Sequence, residues 1–410
     1  MAQHELWELQ QMQALPLSLK IRLTQERIRQ WVNEFGVDGV YVSFSGGKDS
    51  TVLLTIARQM YPEIKAVFVD TGLEYPEIRQ FVKTWENVEW LKPKKTFRKV
   101  IEDYGYPFIS KEVSERIYYA QKYLTWYKAQ GNLDRPTDRP TDRPTDRPTA
   151  YALIDFIYPS RSEENKKAQK TGVIPDRILK AFADSGKSGT YKIKELFGEA
   201  RKNGEKSIYD YTKWRWMATC PYRISNKCCD VMKKSPAHSY AKRTGRKVIS
   251  GVTASESRLR TIQWLRHGCN GFDMKTPVSN PMSFWMEQDV LQYIWQNKIP
   301  IASVYGDVAV DYAGQGDVDG QMSFRDLGGD WELFDSERPL LKTTGVSRTG
   351  CMFCGYGCHL EKPGEGRFER MKVTHPKQYD YIMRPKEQGG LGYKEVIDWI
   401  NEHGNLNIRY

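Results

Sequence analysis

Hydrophobic and polar positions alternate with a helical period from Leu17 to Phe35, where Leu17, Ile21, Ile28, Trp31, Val32 and Phe35 fall on one stripe. That spacing predicts an amphipathic helix. Gly36 and Gly39 interrupt it, and Val40–Phe44 follows as a short apolar run of β type. A glycine-rich turn, a helical run from Ser50 to Met60 and a second apolar run, Ile64–Asp70, come next. Strand, turn, helix and strand within about 30 residues make a βαβ unit and hence a parallel sheet. Val88–Leu91 and Lys247–Ser250 are further candidate strands, the latter preceded by a helical run around Cys229–Tyr240. The pattern predicts an α/β fold, a doubly wound and mostly parallel sheet whose later strands come from well downstream.

An insertion separates the two halves of that sheet. Residues 134–149 read DRPT four times, with Arg135, Arg139, Arg143 and Arg147 in register. Proline at every fourth position blocks both helix and central strand, so the repeat is expected to be an extended surface loop. The basic segment 160–217 follows and ends in the aromatic-basic run YDYTKWRWM. That run could stack bases or form a half-buried edge with snorkelling lysines. The expected division is 1–125 and 218–310 for the nucleotide-binding unit, 126–217 for the insertion, and 311–410 for a cysteine-rich C-terminal region.

Composition changes the picture in two places. Lys and Arg number 62 against 51 Asp and Glu in 410 residues, a net charge of +11, which favours an anionic partner such as a nucleotide, a sulfate ester or a nucleic acid. Seven cysteines, with no secretory pattern at the start MAQHELWELQ, point to a reducing, cytoplasmic setting and to thiolate or metal chemistry rather than disulfides. No apolar run of about 18 residues is present, so no membrane span is expected.

The anion has a candidate seat. Ser43-Phe44-Ser45-Gly46-Gly47-Lys48-Asp49-Ser50 lies between a predicted strand and a predicted helix. Glycines let backbone N–H groups approach an anion, the helix N-terminus adds its dipole, and Ser45, Ser50 and Lys48 supply donors. It is not a Walker A loop, because Val42 and Asp49 stand where Gly and Ser or Thr would be required. The cysteines fall into two clusters, Cys220, Cys228 and Cys229, and then Cys351, Cys354 and Cys358, with Cys269 apart as a buried small hydrophobe. The C-x2-C spacing at 351–354 suits two thiolates on one metal, and spacing alone leaves zinc and iron–sulfur both open.

SGGKDS resembles the PP-loop of the ATP pyrophosphatases, the adenine nucleotide alpha-hydrolase-like superfamily. The chain is more closely similar to its phosphoadenosine phosphosulfate (PAPS) reductase branch. SFSGGKDSTVLL, VFVDTGLEYPE, PFISKEVSERI, KCCDVMKKSPAHSYAKRTGRKVISGVTASESRLR and NPMSFWMEQDVLQYIWQNKIPIASVYGD occur in the family's order. The resemblance implies that Ser43, Ser45, Gly46, Gly47, Asp49 and Ser50 cradle nucleotide phosphates, with Lys48 and Asp49 catalytic. It places Asp70, Thr71 and Gly72 near the nucleoside. Lys111, Lys233, Lys234, Gly251, Glu256, Ser257 and Arg260 would complete an anionic-ligand pocket. Thr253 stands where the family often has arginine.

By the same resemblance, Cys228, Cys229, Cys351 and Cys354 would hold a [4Fe–4S] cluster, with Cys220 or Cys358 able to replace Cys228, and zinc as the alternative metal. The family's C-terminal catalytic cysteine is missing, since no cysteine occurs in the 52 residues 359–410. A reductase would therefore need Cys358 or an external thiol as nucleophile. The expectation is an ATP- and Mg2+-binding enzyme that adenylylates an acceptor and transfers sulfur, with a thiol or sulfur-carrier protein as partner. The alternatives are a PAPS or adenylylsulfate (APS) reductase forming sulfite with a dithiol donor, and a regulator that binds nucleotide or nucleic acid without turnover.

Overall fold

The computed structural model describes residues 4–129, 189–197, 210–311 and 339–410. The DRPT repeat and most of the basic segment lie outside the described residues. The chain divides into two compact units, Met1–Lys94 with Lys233–Cys351, and Lys95–Met232 with Met352–Tyr410.

The first unit opens with α1 (Leu6–Gln13) and α2 (Leu17–Phe35), then runs through β1 (Val40–Ser43), α3 (Lys48–Met60), β2 (Ala66–Val69), α4 (Pro76–Lys83) and β3 (Val88–Leu91). After the second unit's first segment it resumes with α5 (Ser235–Thr244), β4 (Lys247–Ser250), α6 (Arg258–His267), β5 (Asn270–Gly271), β6 (Val278–Ser279) and α7 (Glu287–Asn297). The six strands form one sheet in the order β3-β2-β1-β4-β6-β5, parallel except for the β5–β6 pair. A separate antiparallel pair joins β7 (Val308–Val310) to β8 (Leu341–Thr343).

The apolar pattern accounts for the core. Val40 and Val42 of β1, Ala66 and Phe68 of β2, and Ile249 of β4 are buried on one face and Tyr41 and Val67 on the other, as both-face burial of a parallel sheet requires. The stripe of α2 supplies Ile28 and Trp31, each 0% exposed, and α3 supplies Val52, Leu53, Leu54 and Ile56. Helix α2 stops where glycine stops it: Gly36 takes φ 75° and its N–H bonds the Val32 carbonyl at 2.7 Å. The helical run expected around Cys229–Tyr240 is divided into a short turn Lys227–Cys229, a π-helical turn Asp230–Lys234 and α5.

Strand order fixes the site. β1 pairs with β2 on one side and β4 on the other, and Ser43 lies opposite both Val67 and Ser250. The order of strands reverses there, so the crevice beyond the carboxyl end of β1 is where ligands of such sheets bind.

The second unit is built on helices around a short parallel pair, Phe108–Ile109 with Gly355–Tyr356. A Cβ on Gly355 would lie 2.4 Å from the Phe108 ring, so that pairing needs glycine. Helices Lys111–Ala129 and Thr190–Phe197 share a fully buried ion pair, Arg116 with Glu195. Helix Tyr393–Gly404 buries Tyr393, Val396, Ile397 and Ile400, and the Tyr393 hydroxyl donates to the Phe353 carbonyl at 2.6 Å. No described helix is long and apolar enough to cross a membrane.

Candidate functional site

In the first unit the turn after β1 is held by its own hydroxyls. The Ser45 N–H donates to Ser50 Oγ (3.2 Å), the two seryl oxygens lie 3.0 Å apart, and the Gly47 N–H donates to Ser45 Oγ (3.3 Å). Ser50 Oγ donates in turn to the Gly47 carbonyl at 2.9 Å. Backbone and hydroxyl donors are thus collected at the start of a 13-residue helix, the kind of position that attracts anions. Gly46 has φ 70°, and a Cβ there would meet Val82 and Ile78 within 2.9 Å. From the other side, Gly251 packs against the backbone of Asp49 and Ser50, with only 3.2 Å between its ideal Cβ and the Asp49 carbonyl oxygen.

Lys48 begins that helix and is 3% exposed. Its ammonium donates to Glu287 Oε1 (2.8 Å) and to the Ser347 carbonyl (2.7 Å). The sequence predicts this lysine as a donor to an anion; in the structure its charge is already engaged by protein groups. Its backbone N–H donates to the Tyr305 hydroxyl (3.3 Å), which also lies 2.5 Å from Thr349 Oγ1. Tyr305 thus bridges the turn to the segment Ser347–Gly350. Asp49 is half-buried, and burial raises its carboxyl above the ordinary range despite the lowering effect of Lys48 and Arg348.

A cavity of about 570 Å³ opens beside this turn, its lining including Ser43, Ser45, Lys233, Lys234, His238 and Arg260. Arg260 pairs with Glu256, and burial together with the neighbouring Arg348 lowers its pKa. Arg260, Arg348, Lys233 and Lys234 stand against the carboxyl groups of Glu74, Glu256 and Asp49, a small excess of positive charge that an anionic ligand would offset. Thr253, in the place of the family's arginine, is buried and its hydroxyl lies 3.3 Å from Ser255 Oγ.

The strand-end residues are arranged differently. Asp70 accepts from Arg79 (2.9 Å) and from the Gly72 N–H (3.2 Å), while Thr71 donates to Glu74 through both backbone and hydroxyl. Of these, Glu74 lines the cavity, and Lys233 stands 3.9 Å from it. Ser257 is exposed at the start of α6. Lys111 belongs to the second unit and bears there on Cys354.

Arg348, Tyr305, Thr349, His238 and Glu287 carry no role in the sequence reading. Tyr305, Glu287 and His238 lie within the family-like stretches, the signal that could have found them. Arg348 and Thr349 lie outside those stretches and meet the turn only through the fold.

In the second unit, Cys228, Cys229 and Cys354 act on one another or on the shared neighbour Tyr356, and Cys354, Cys228 and Cys358 all bear on buried Tyr393. Burial raises Cys354 and Cys358, with Arg367 opposing it at both and Lys111 at Cys354. Arg367 bonds the Cys354 carbonyl (2.7 Å) and Glu361 (2.8 Å). Cys358 is 2% exposed, and its burial opposes the thiolate that a nucleophile needs. Cys220 is pushed up by burial to about 12. Cys351 is the last residue of the first unit. Among the described residues no group of three or more His, Cys, Asp and Glu side chains is disposed to hold a metal ion. The aromatic run is used in packing: Trp214 is buried edge-on to His359 (5.4 Å), and Trp216 packs on Trp399 (5.6 Å).

Comparison with known proteins bears on this arrangement. The family described as phosphoadenosine phosphosulfate reductase domain matches residues 39–128 and 183–354. An uncharacterized protein of Methanocaldococcus jannaschii is 37% identical over 73 residues, 17% of this chain and 18% of the relative. The chain thus matches less than a fifth of that curated relative's length.

Proposed function

The chain belongs to the phosphoadenosine phosphosulfate reductase domain family, and on that premise we propose that it binds ATP, adenylylates an acceptor with release of pyrophosphate, and acts in sulfur transfer. The observation that carries this reading is the hydroxyl-lined turn Ser43–Ser50 at the strand-order reversal, opening on a cavity lined by Lys233, Lys234, His238 and Arg260.

In this reading the β- and γ-phosphates lie on the turn, where the N–H groups of Ser45 and Gly47 exchange seryl oxygens for phosphate oxygens. Ser43, Ser45 and Ser50 orient them, and Lys48 exchanges Glu287 for phosphate. An acceptor oxygen attacks the α-phosphorus, the new O–P bond forms, and the bond to the bridging oxygen breaks with its electron pair leaving on pyrophosphate. Arg260 and Arg348 stabilise the charge that develops. Mg2+, when bound with the nucleotide, adds positive charge at the phosphates. Asp49 is the loop carboxylate that would face it, and a cation there would restore the ionised form that burial disfavours.

Of the expected cluster ligands Cys228, Cys229, Cys351 and Cys354, all but Cys351 belong to the second unit, with Cys358 there as the substitute thiol and Lys111 and Arg367 as compensating cations. These thiols would hold an iron–sulfur cluster by drawing together, and the cluster when bound would supply iron for sulfur chemistry. Calorimetric titration of the full chain tests the nucleotide assignment. ATP is expected to bind at least tenfold more tightly than AMP, because the turn meets the outer phosphates. Tighter binding of PAPS or APS than of ATP, with sulfite formed on adding a dithiol, would overturn it in favour of a reductase.

A further inference from the structure

The nucleotide cavity holds one group at odds with its charge. Among its described lining residues Lys233, Lys234 and Arg260 are cations, and Glu74 is the one carboxylate. The Glu74 side chain is 8% exposed, and the loop after β2 fixes it there. The Thr71 N–H donates to its Oε2 at 3.0 Å, and the Thr71 hydroxyl donates to its Oε1 at 2.7 Å. Lys233 Nζ stands 3.9 Å from Oε1, beyond hydrogen-bond length. Asp70, the strand-end carboxylate that the sequence offers for the nucleoside, is held by Arg79 and by the Gly72 N–H and does not line the cavity.

A carboxylate accepts at about four lone-pair positions, and the two Thr71 hydrogens fill two of them. A fixed negative charge works against an anionic ligand unless that ligand brings donors to it. In an adenine nucleotide the donors nearest the phosphates are the two ribose hydroxyls, while the base amino group lies at the far end. Glu74 flanks the phosphate end, because the helix it precedes, α4, packs Ile78 on the turn: a Cβ on Gly46 would lie 2.9 Å from Ile78. An acid just beyond the second strand of such a sheet is placed to accept from ribose hydroxyls, whereas a phosphorylated ribose calls for arginine there. The two Thr71 contacts also resist any swing of the carboxylate away from a phosphate.

We propose that Glu74 sets nucleotide specificity, accepting from the free ribose hydroxyls and excluding a ribose 3′-phosphate. The proposal rests on the nucleotide reading of this cavity and sets the chain against the 3′-phosphorylated nucleotide of the family's name. Calorimetric titration of the full chain with two ligand pairs tests it, ATP against 2′,3′-dideoxy-ATP and APS against PAPS. The second member of each pair is expected to bind at least tenfold more weakly. Glu74→Gln keeps an oxygen for Thr71 and removes the charge, and should bring PAPS to within about threefold of APS. Equal binding within either wild-type pair, as when Lys233 takes the added phosphate, would overturn the proposal. So would an APS preference unchanged in folded Glu74→Gln, and the wild-type pairs decide alone if that variant misfolds. The ATP reading fails separately, if ATP binds no more tightly than AMP while APS still exceeds PAPS tenfold. Binding of no adenine nucleotide would overturn both.

Discussion

The ammonium of Lys48 lies 2.8 Å from the carboxylate of Glu287, 239 residues away in sequence. The lysine of the phosphate turn is therefore held by protein groups, and a nucleotide must compete with Glu287 for it. If Lys48 moves to phosphate, Glu287→Gln removes a competing charge and tightens ATP binding by about three- to tenfold, in keeping with about 1 kcal/mol for a pair with one half-exposed partner. Lys48→Met weakens ATP at least tenfold. Calorimetric titration of both variants checks the pair, and unchanged affinity in Lys48→Met would show a purely structural lysine.

Tyr305 joins the turn to the segment before the cysteines through Lys48 N–H and Thr349 Oγ1. Tyr305→Phe keeps the ring and removes both hydroxyl contacts, which costs about 1–2 kcal/mol. The melting temperature should fall by a few degrees, and the KM for ATP should rise more than kcat falls. A loss confined to kcat would contradict a positioning role.

Asp49 gives a pH signature. Burial raises its folded pKa above that of the unfolded chain, so its protonated form favours folding at acid pH. That contribution is complete below the ordinary carboxylate range and is lost as pH rises through the folded value. Asp49→Asn should therefore raise the melting temperature at neutral pH, with the gain shrinking as pH falls through the raised folded value and gone below the ordinary carboxylate range. The same variant should lose ATP turnover. Thermal melts across pH 3–8 read the first effect, and a gain that grows toward acid would contradict it.

How much of this was legible in the chain differs by element. Helix α2 and strands β3 and β4 lie at the residues their patterns predict: Gly36 ends the stripe of α2, Gly245 and Gly251 flank β4, and Asn87 in the left-handed region and Pro93 bracket β3. Helix α3 begins at Lys48, two residues earlier than the apolar pattern implies, since its first turn, Lys48-Asp49-Ser50-Thr51, is polar. The Ser-Gly-Gly turn could be read from local chemistry. The engagement of Lys48 could not, because Glu287 and Ser347 reach it only through the fold. Spacing likewise pointed to the cysteines, but it could not show that burial would raise Cys354 and Cys358, or that Arg367 would sit beside them.

The thiols lead to a metal prediction. Anaerobically purified chain should carry about four iron and four acid-labile sulfide, and Cys354→Ser should lose both. Chelation should lower the melting temperature. In the metal-free chain Cys220, buried and pushed up to about 12, should resist iodoacetamide at neutral pH until unfolding, as mass spectrometry of labelled peptides would show. Stoichiometric zinc without iron or sulfide would contradict the cluster.

Which bond of ATP breaks tests the central claim most directly. With ATP labelled separately in the α and γ positions and a panel of oxygen acceptors, the account predicts labelled pyrophosphate with AMP or an adenylylated acceptor in equal amount, both lost in Asp49→Asn. Release of inorganic phosphate with ADP, or no cleavage with any acceptor while a sulfonucleotide yields sulfite, would contradict it.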